Sequence, residues 1–273
     1  MVMATANVGR MSEALSYSPP AASPGVAIDP LPLTGERTVP GIPEENYWFR
    51  RHEIVYARLL ERCAGRIVLE AGAGEGYGAN MIADVAAAVL GLDYDVSAAA
   101  HVRAAYPRVA MVRGNLADLP LAGAGIDVVV NFQVIEHLWD QLGFLRECLR
   151  VLRPGGRLLI STPNRITFSP GRDTPLNPFH TRELNAAELS DLLREAGFRI
   201  ESLEGVHHGP RLAALDAKWG GSLIDAQIAR ALAGQPWPAD LIADVAAVRT
   251  GDFELTGADI DASLDLVACA VKP

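Results

Sequence analysis

The chain has 273 residues, 49% of them hydrophobic and 21% charged, with a formal net charge of −9. That length is enough for one large domain, or for one domain with additions. The acidic balance speaks against nucleic acid or an anionic membrane as the main partner, because no basic stripe is present to meet either. No apolar run is long enough to cross a bilayer, and the N-terminus lacks the charged-then-apolar layout of a signal peptide. Cys63, Cys148 and Cys269 are scattered without metal-type spacing, so a cytoplasmic protein with reduced thiols is expected.

Residues 1–33 are rich in Ala, Ser and Pro without periodicity and read as a disordered leader. In residues 34–63, "ENYWFRRHEIVYARLLERC" spaces its apolar positions like a helix behind Pro43. From residue 64 the pattern alternates. "RIVLEAG", "AVLGLDYD", "RVAMVRGN" and "IDVVVNFQV" predict strands, and "YGANMIADVAA" and "VSAAAHVRAAYP" predict helices between the first three. "DQLGFLRECLRVL" predicts a helix stopped by Pro154-Gly155-Gly156, and "RLLISTP" a fifth strand. A Pro/Gly/Asn-rich loop from Pro163 to His180 follows, then the helix "NAAELSDLLREAGF" and the strand "FRIESLEGV". Residues 207–250 read as an insertion of two or three amphipathic helices carrying Trp219 and Trp237. Residues 251–273 end in the strand-like "SLDLVACAV". Apolar strands alternating with helices predict an α/β fold, a parallel sheet covered on both faces.

The segment "VLEAGAGEGYGANMI" sets four glycines at alternate positions between a strand and a helix, the geometry of a ligand loop at a sheet's carboxyl edge. The dinucleotide fingerprint wants Gly or Ala where Tyr77 stands. Glu70 and Glu75 would also repel a pyrophosphate, each at ~5 Å by an energy of order kcal/mol at an effective dielectric of about 20. Asp93, closing the second strand, stands where an acid accepts ribose hydroxyls. A ligand with a ribose and a positive charge but no pyrophosphate fits, as S-adenosylmethionine does. A nicotinamide-dependent oxidoreductase and a non-catalytic binding module are the rivals.

"LEAGAGEGYG" resembles the first motif of class I S-adenosylmethionine-dependent methyltransferases, and "LRVLRPGGRLLISTPN" resembles their helix-to-fifth-strand signature. The resemblance spans residues 66–206. It implies a Rossmann-like, doubly wound, seven-stranded sheet with an antiparallel last strand. It also implies that Glu70, Gly72, Gly74 and Gly76 hold the methionine end, Asp93 the ribose, and Asn115 and Leu116 of "RGNLADLP" the adenine. Asn115 departs from the Asp more usual there. "NFQVIEHLWDQ" and "STPNRITFSPGRDTPLNPFHTREL" are similar to methyltransferases of sugar hydroxyls, those of 6-O-methylglucose lipopolysaccharide synthesis in particular and of methylmannose polysaccharides as an alternative. The implied acceptor is a glycan or oligosaccharide.

A sugar hydroxyl is a poor nucleophile that a positioned base accelerates. His137, just past the fourth strand, is the first candidate, against a plain role in fixing the bend. His180 is the second, against a helix-start role beside Thr181. In a subset of that family resembling quinone-biosynthesis O-methyltransferases, a Glu-x-x-Glu-His run binds a divalent metal. Here it reads Gln133 to His137, so Glu136 and His137 are tentative ligands and Mg2+ dependence stays open. Tyr47, Trp48 and Phe49 belong to a lid or to an aromatic cluster, and Arg50 or Arg51 would meet the cofactor's carboxylate. His207 and His208 are expected to face solvent.

Overall fold

The apolar runs carry too few polar residues to face water, and the chain buries them as five parallel strands. These are β1 (Ile67–Ala71), β2 (Ala88–Asp93), β3 (Val109–Arg113), β4 (Ile126–Phe132) and β5 (Leu152–Pro163). The computed structural model describes Leu31 and residues 37–273, so the expected leader lies outside the described residues apart from Leu31. After β6 (Arg199–His208) come a four-residue β7 (Phe253–Thr256) and β8 (Asp265–Val271). The order is β3-β2-β1-β4-β5-β8-β6-β7, with β8 antiparallel to both β5 and β6.

The sheet has eight strands, one beyond the seven implied by resemblance. The extra strand pairs antiparallel with Gly205–His208 and buries Phe253 and Leu255 on alternate positions, a run too short to announce itself in the sequence. Strand order reverses between β1 and β4, which opens a crevice at the carboxyl ends of the strands.

Helices cover both faces. On one lie α1 (Asn46–Leu59), α2 (Tyr77–Ile82), α3 (Val96–Ala105) and three further helices, α7 (Pro210–Lys218), α8 (Leu223–Ala233) and α9 (Ala239–Ala246). On the other lie α4 (Gln141–Val151) and α6 (Ala186–Glu195); the single-turn α5 (Arg165–Phe168) interrupts the loop expected after β5. The α4 helix ends at Val151, ahead of the expected Pro-Gly-Gly stop. β5 already starts at Leu152 and runs through that tripeptide, with Gly155 at φ 74°.

The first helix crosses the crevice because three polar anchors hold it there. Arg51 Nε and Nη2 donate to the two carboxylate oxygens of Asp265, each at 2.6 Å, and Nη2 also reaches the Leu264 carbonyl. Asn46 Nδ2 donates to the carbonyls of Val245, Ala246 and Val248, tying the start of α1 to the end of α9. Glu53, fully buried, accepts from Arg50 and from the Thr250 hydroxyl. Arg51 therefore secures the lid rather than waiting for a cofactor carboxylate. Removing one member of a buried pair strands the other charge, at a cost of about 3–5 kcal/mol. Asp265→Ala should lower unfolding stability in urea by that amount; a loss below about 1 kcal/mol would show that the pair does not hold the lid.

Candidate active site

The crevice is divided into two cavities. The larger, about 680 Å3, is walled by Tyr56, the glycine loop from Gly72 to Glu75 with Tyr77, the β2 end from Asp93 to Val96, and Arg113, Asn115 and Leu116. Six of the ten predicted site residues stand on this wall: Gly72, Gly74, Asp93, Asn115, Leu116 and His137. Asn115 accepts the Ala117 N–H with its side-chain oxygen, a local turn that aims the rest of the amide outward.

Glu70 and Gly76 are placed elsewhere. Gly76 has φ 97°, and a Cβ there would lie 2.6 Å from Val102 Cγ2, so this glycine serves the packing of loop against α3. Glu70 lies beneath the loop, 1% exposed, accepting the Tyr56 hydroxyl at 2.6 Å. Burial pushes its carboxyl up to about 8, against the opposing hydrogen bond from Tyr56. Glu75 is turned under the loop too, held by the Tyr106 hydroxyl, His101 and the Tyr77 N–H.

The two glutamates thus do not confront a ligand as the sequence suggests, and a second feature rejects a diphosphate. Such a group needs unpaired backbone N–H donors. Here the Gly72 and Ala73 amides donate to the Leu92 carbonyl, Gly74 to Asp93 Oδ2, Gly76 to the Ala73 carbonyl and Tyr77 to Glu75. Five of the loop's amides are thus already engaged within the protein, and the carboxylate at its mouth is Asp93, which also accepts the Asp95 N–H.

The smaller cavity, about 430 Å3, is lined by Trp48, Phe168, Phe179 and Trp237 among other side chains. The cavities share Arg37, Thr38, His52, Gln133, His137 and Phe179, which form a neck between them. Gln133 takes φ 56°, a left-handed conformation uncommon outside Gly, as β4 turns into the single helical turn Ile135–His137. Thr181 staples the loop after β5 to that turn: its hydroxyl and N–H both meet the Glu136 carbonyl, and the hydroxyl also meets that of Leu138. Helix α6 starts only at Ala186, capped by Asn185 and Glu188, so His180 and Thr181 belong to the loop and not to a helix start.

The partners fix the histidine tautomers. Phe179's carbonyl can only accept, so His137 carries its proton on Nδ1 (3.0 Å), and its Nε2 holds the basic lone pair. Asn177 is oriented by accepting the Phe179 N–H, so its amide nitrogen donates to His180 Nε2; His180 Nδ1 then donates to Glu183 at 2.7 Å. The His137 and His180 rings meet edge to face, 4.9 Å between centroids. His180 Nε2 already accepts from Asn177, so its lone pair is engaged.

Glu136, His137 and His180 bring ligand atoms within 4.8 Å of one another. Two nitrogens and a carboxylate suit zinc, manganese or iron; magnesium wants oxygen donors, so the donor set does not favour it. The fit is partial, since Glu136 accepts the Thr162 hydroxyl and His180 would have to release Asn177.

His208 is not solvent-facing as expected. Its Nε2 meets the Tyr47 hydroxyl at 2.7 Å and its Nδ1 meets Asp216 at 2.6 Å, which links α1 to α7. Sequence reasoning missed His52, Arg37 and Phe179. The signal for His52 was present, because Trp48, His52 and Tyr56 recur every fourth residue and so share a helix face.

The doubly wound sheet thus opens at its strand-order reversal into a crevice with Asp93 at its mouth, where two cavities share one set of lining residues. A model described as "Methyltransferase domain" matches residues 69–160. A Mycolicibacterium smegmatis protein named "Probable S-adenosylmethionine-dependent methyltransferase" is 71% identical over 246 residues, 89% of this chain and 96% of that protein. A Xanthomonas axonopodis pv. citri protein named "Ubiquinone biosynthesis O-methyltransferase" is 30% identical over 59% of this chain and 73% of that protein. The crystal structure of an S-adenosylmethionine-dependent methyltransferase from Mesorhizobium loti shares the fold, with a TM-score of 0.51 at 19% identity over 80% of this chain and 98% of that one. The chain belongs to the S-adenosylmethionine-dependent methyltransferases. Among the described residues no helix is long and apolar enough to cross a membrane.

Two outcomes follow from this geometry. Asp93→Ala should weaken S-adenosylhomocysteine binding about tenfold or more in calorimetry, the loss of charge-assisted hydrogen bonds worth about 1.5–3 kcal/mol; unchanged affinity would remove Asp93 from the site. Glu70 keeps its proton in the fold over a range where the unfolded chain, with a carboxyl near 4.5, has lost it. Ligand-free stability should therefore fall as pH rises from about 4.5 to about 8 and level off above. In Glu70→Gln that contribution vanishes, so its melting temperature should drop less between pH 5 and pH 8 than the wild type's. Equal drops would contradict the assignment.

Proposed function

We propose that the enzyme methylates a hydroxyl of a sugar, and that the neck joining the two cavities is where transfer occurs. S-adenosylmethionine supplies an electrophilic methyl group and leaves as the neutral thioether. The loop and Asp93 hold its methionine and ribose portions in the larger cavity, which directs the methyl toward the neck. As the acceptor oxygen forms its new bond to carbon and the carbon–sulfur bond breaks, the hydroxyl proton passes to His137 Nε2. Holding the oxygen in line with the departing sulfur supplies much of the acceleration, and the base adds ~10²–10⁴-fold.

The observation that carries this reading is the position of His137, the only imidazole among the predicted residues that faces both cavities. Support for a sugar comes from the smaller cavity. Trp48, Phe168 and Trp237 offer faces for stacking, while Asn177, Gln133 and Gln227 offer amides; Gln227 is buried with an oxygen that finds no donor among the described residues. The resemblance of residues 131–141 and 161–184 to polysaccharide methyltransferases points to precursors of 6-O-methylglucose lipopolysaccharide, with methylmannose polysaccharides or a quinone-type small molecule as the alternatives. The printed name of the Xanthomonas relative supports oxygen as the acceptor atom.

Incubation with S-adenosylmethionine and a panel of oligosaccharides should release S-adenosylhomocysteine with a matching O-methylated product, identified by mass and linkage. Firm cofactor binding with no turnover on any glycan but turnover on a quinone-type phenol would move the acceptor class. His137→Ala should lower turnover at least 100-fold with cofactor affinity nearly unchanged; unaltered turnover would remove the base.

A second reading rests on the Glu136, His137 and His180 cluster, which would place a transition-metal ion beside the acceptor oxygen. In that case His180→Ala should match His137→Ala in its loss of turnover, and a chelator should silence the wild type until zinc or manganese is restored. Full activity in chelator would leave His137 acting alone.

A further inference from the structure

The neck contains more hydrogen-bonding groups than one reacting hydroxyl can use. That hydroxyl has a single proton, which goes to His137, and two lone pairs, one of which attacks the methyl. One acceptor position remains. Gln133, Thr38 and the imidazole of His52 line the neck where that position lies; Gln133 already donates to Ser161 and Thr38 already meets the Tyr77 hydroxyl.

His52 is carried by α1, between Trp48 in the smaller cavity and Tyr56 in the larger, and it alone of these three borders both. Among the described residues it makes no hydrogen bond. Its neighbour Arg51 is locked to Asp265, so the backbone that carries His52 is fixed. Burial, with the Arg51 charge beside it, pushes the imidazole down to about 4. The ring is therefore neutral at physiological pH, offers one donor and one acceptor, and does not repel a sulfonium.

Resting on the methyl-transfer reading above, we propose that His52 touches the acceptor and binds a second oxygen adjacent to the one methylated, so that the enzyme selects compounds with two neighbouring oxygens, such as vicinal diols. His52 then orients the acceptor while His137 takes the proton. A site built to bond an oxygen discriminates against analogues that lack it.

The test uses the full chain with 13C-labelled histidine rings, assigned with His52→Asn and His137→Gln. Saturation with S-adenosylhomocysteine comes first and should shift both ring signals. Titrations then follow with trans-1,2-cyclohexanediol and catechol, each paired with its single-oxygen control, cyclohexanol or phenol. At least one diol should shift His52 as well as His137 and bind roughly fivefold tighter than its control, about one net hydrogen bond. That preference should disappear in both His52→Asn and His52→Phe, read from the His137 signal. Which diol responds tells a sugar-like acceptor from an aromatic one. Equal binding of diols and controls, a silent His52 beside a responsive His137, a preference that survives both substitutions, or no diol response at either ring would overturn the proposal. Failure of S-adenosylhomocysteine to bind at all would instead bring down the methyl-transfer reading, and this inference with it.

Discussion

The organisation of the site depends on one buried ion pair. Arg51 and Asp265 join the first helix to the last strand, 214 residues apart in sequence, with both side chains almost entirely out of water. That anchor, together with the Asn46 and Glu53 hydrogen bonds, holds the first helix over the crevice at the strand-order reversal. So held, α1 lays Trp48, His52 and Tyr56 along the roof of two chambers with a shared neck. The arginine also rests against the Trp48 and Phe168 rings at 5.4 and 6.0 Å, so the same group that fixes the lid shapes the smaller chamber.

Opposite the lid, the floor of the neck is fixed by a chain of directional hydrogen bonds. Glu183 orients His180, Asn177 spans His180 and the Phe179 amide, and the Phe179 carbonyl sets the tautomer of His137. The His137 imidazole is therefore positioned by a loop that carries no regular structure of its own, and Thr181 holds that loop against the turn after β4. The rigidity comes from satisfied polar groups in place of packed apolar ones.

The parallel core was legible because strand burial on both faces writes itself as apolar runs, and the loop was legible because glycine spacing is local. Asp93 could be placed because it ends β2, and His137 because it lies in the turn just past β4; strand ends define the crevice. What could not be read was direction. Glu70 and Glu75 sit in the loop that the sequence shows, yet Tyr56 and Tyr106, distant residues, pull both carboxylates away from the crevice. The rejection of a diphosphate consequently rests on amides already paired and on Asp93. His208 illustrates the same limit, since Tyr47 and Asp216 approach it only in three dimensions. β7 escaped because four residues carry too little pattern, and His52 because one histidine on an amphipathic helix looks like any other polar position.

The most direct test of the two-chamber account is a crystal structure of the full chain with S-adenosylhomocysteine bound. The account predicts the nucleoside in the larger chamber, its ribose on Asp93, and its sulfur at the neck between His52 and His137. A sulfur buried away from both imidazoles, or a nucleoside lying in the smaller chamber, would contradict it.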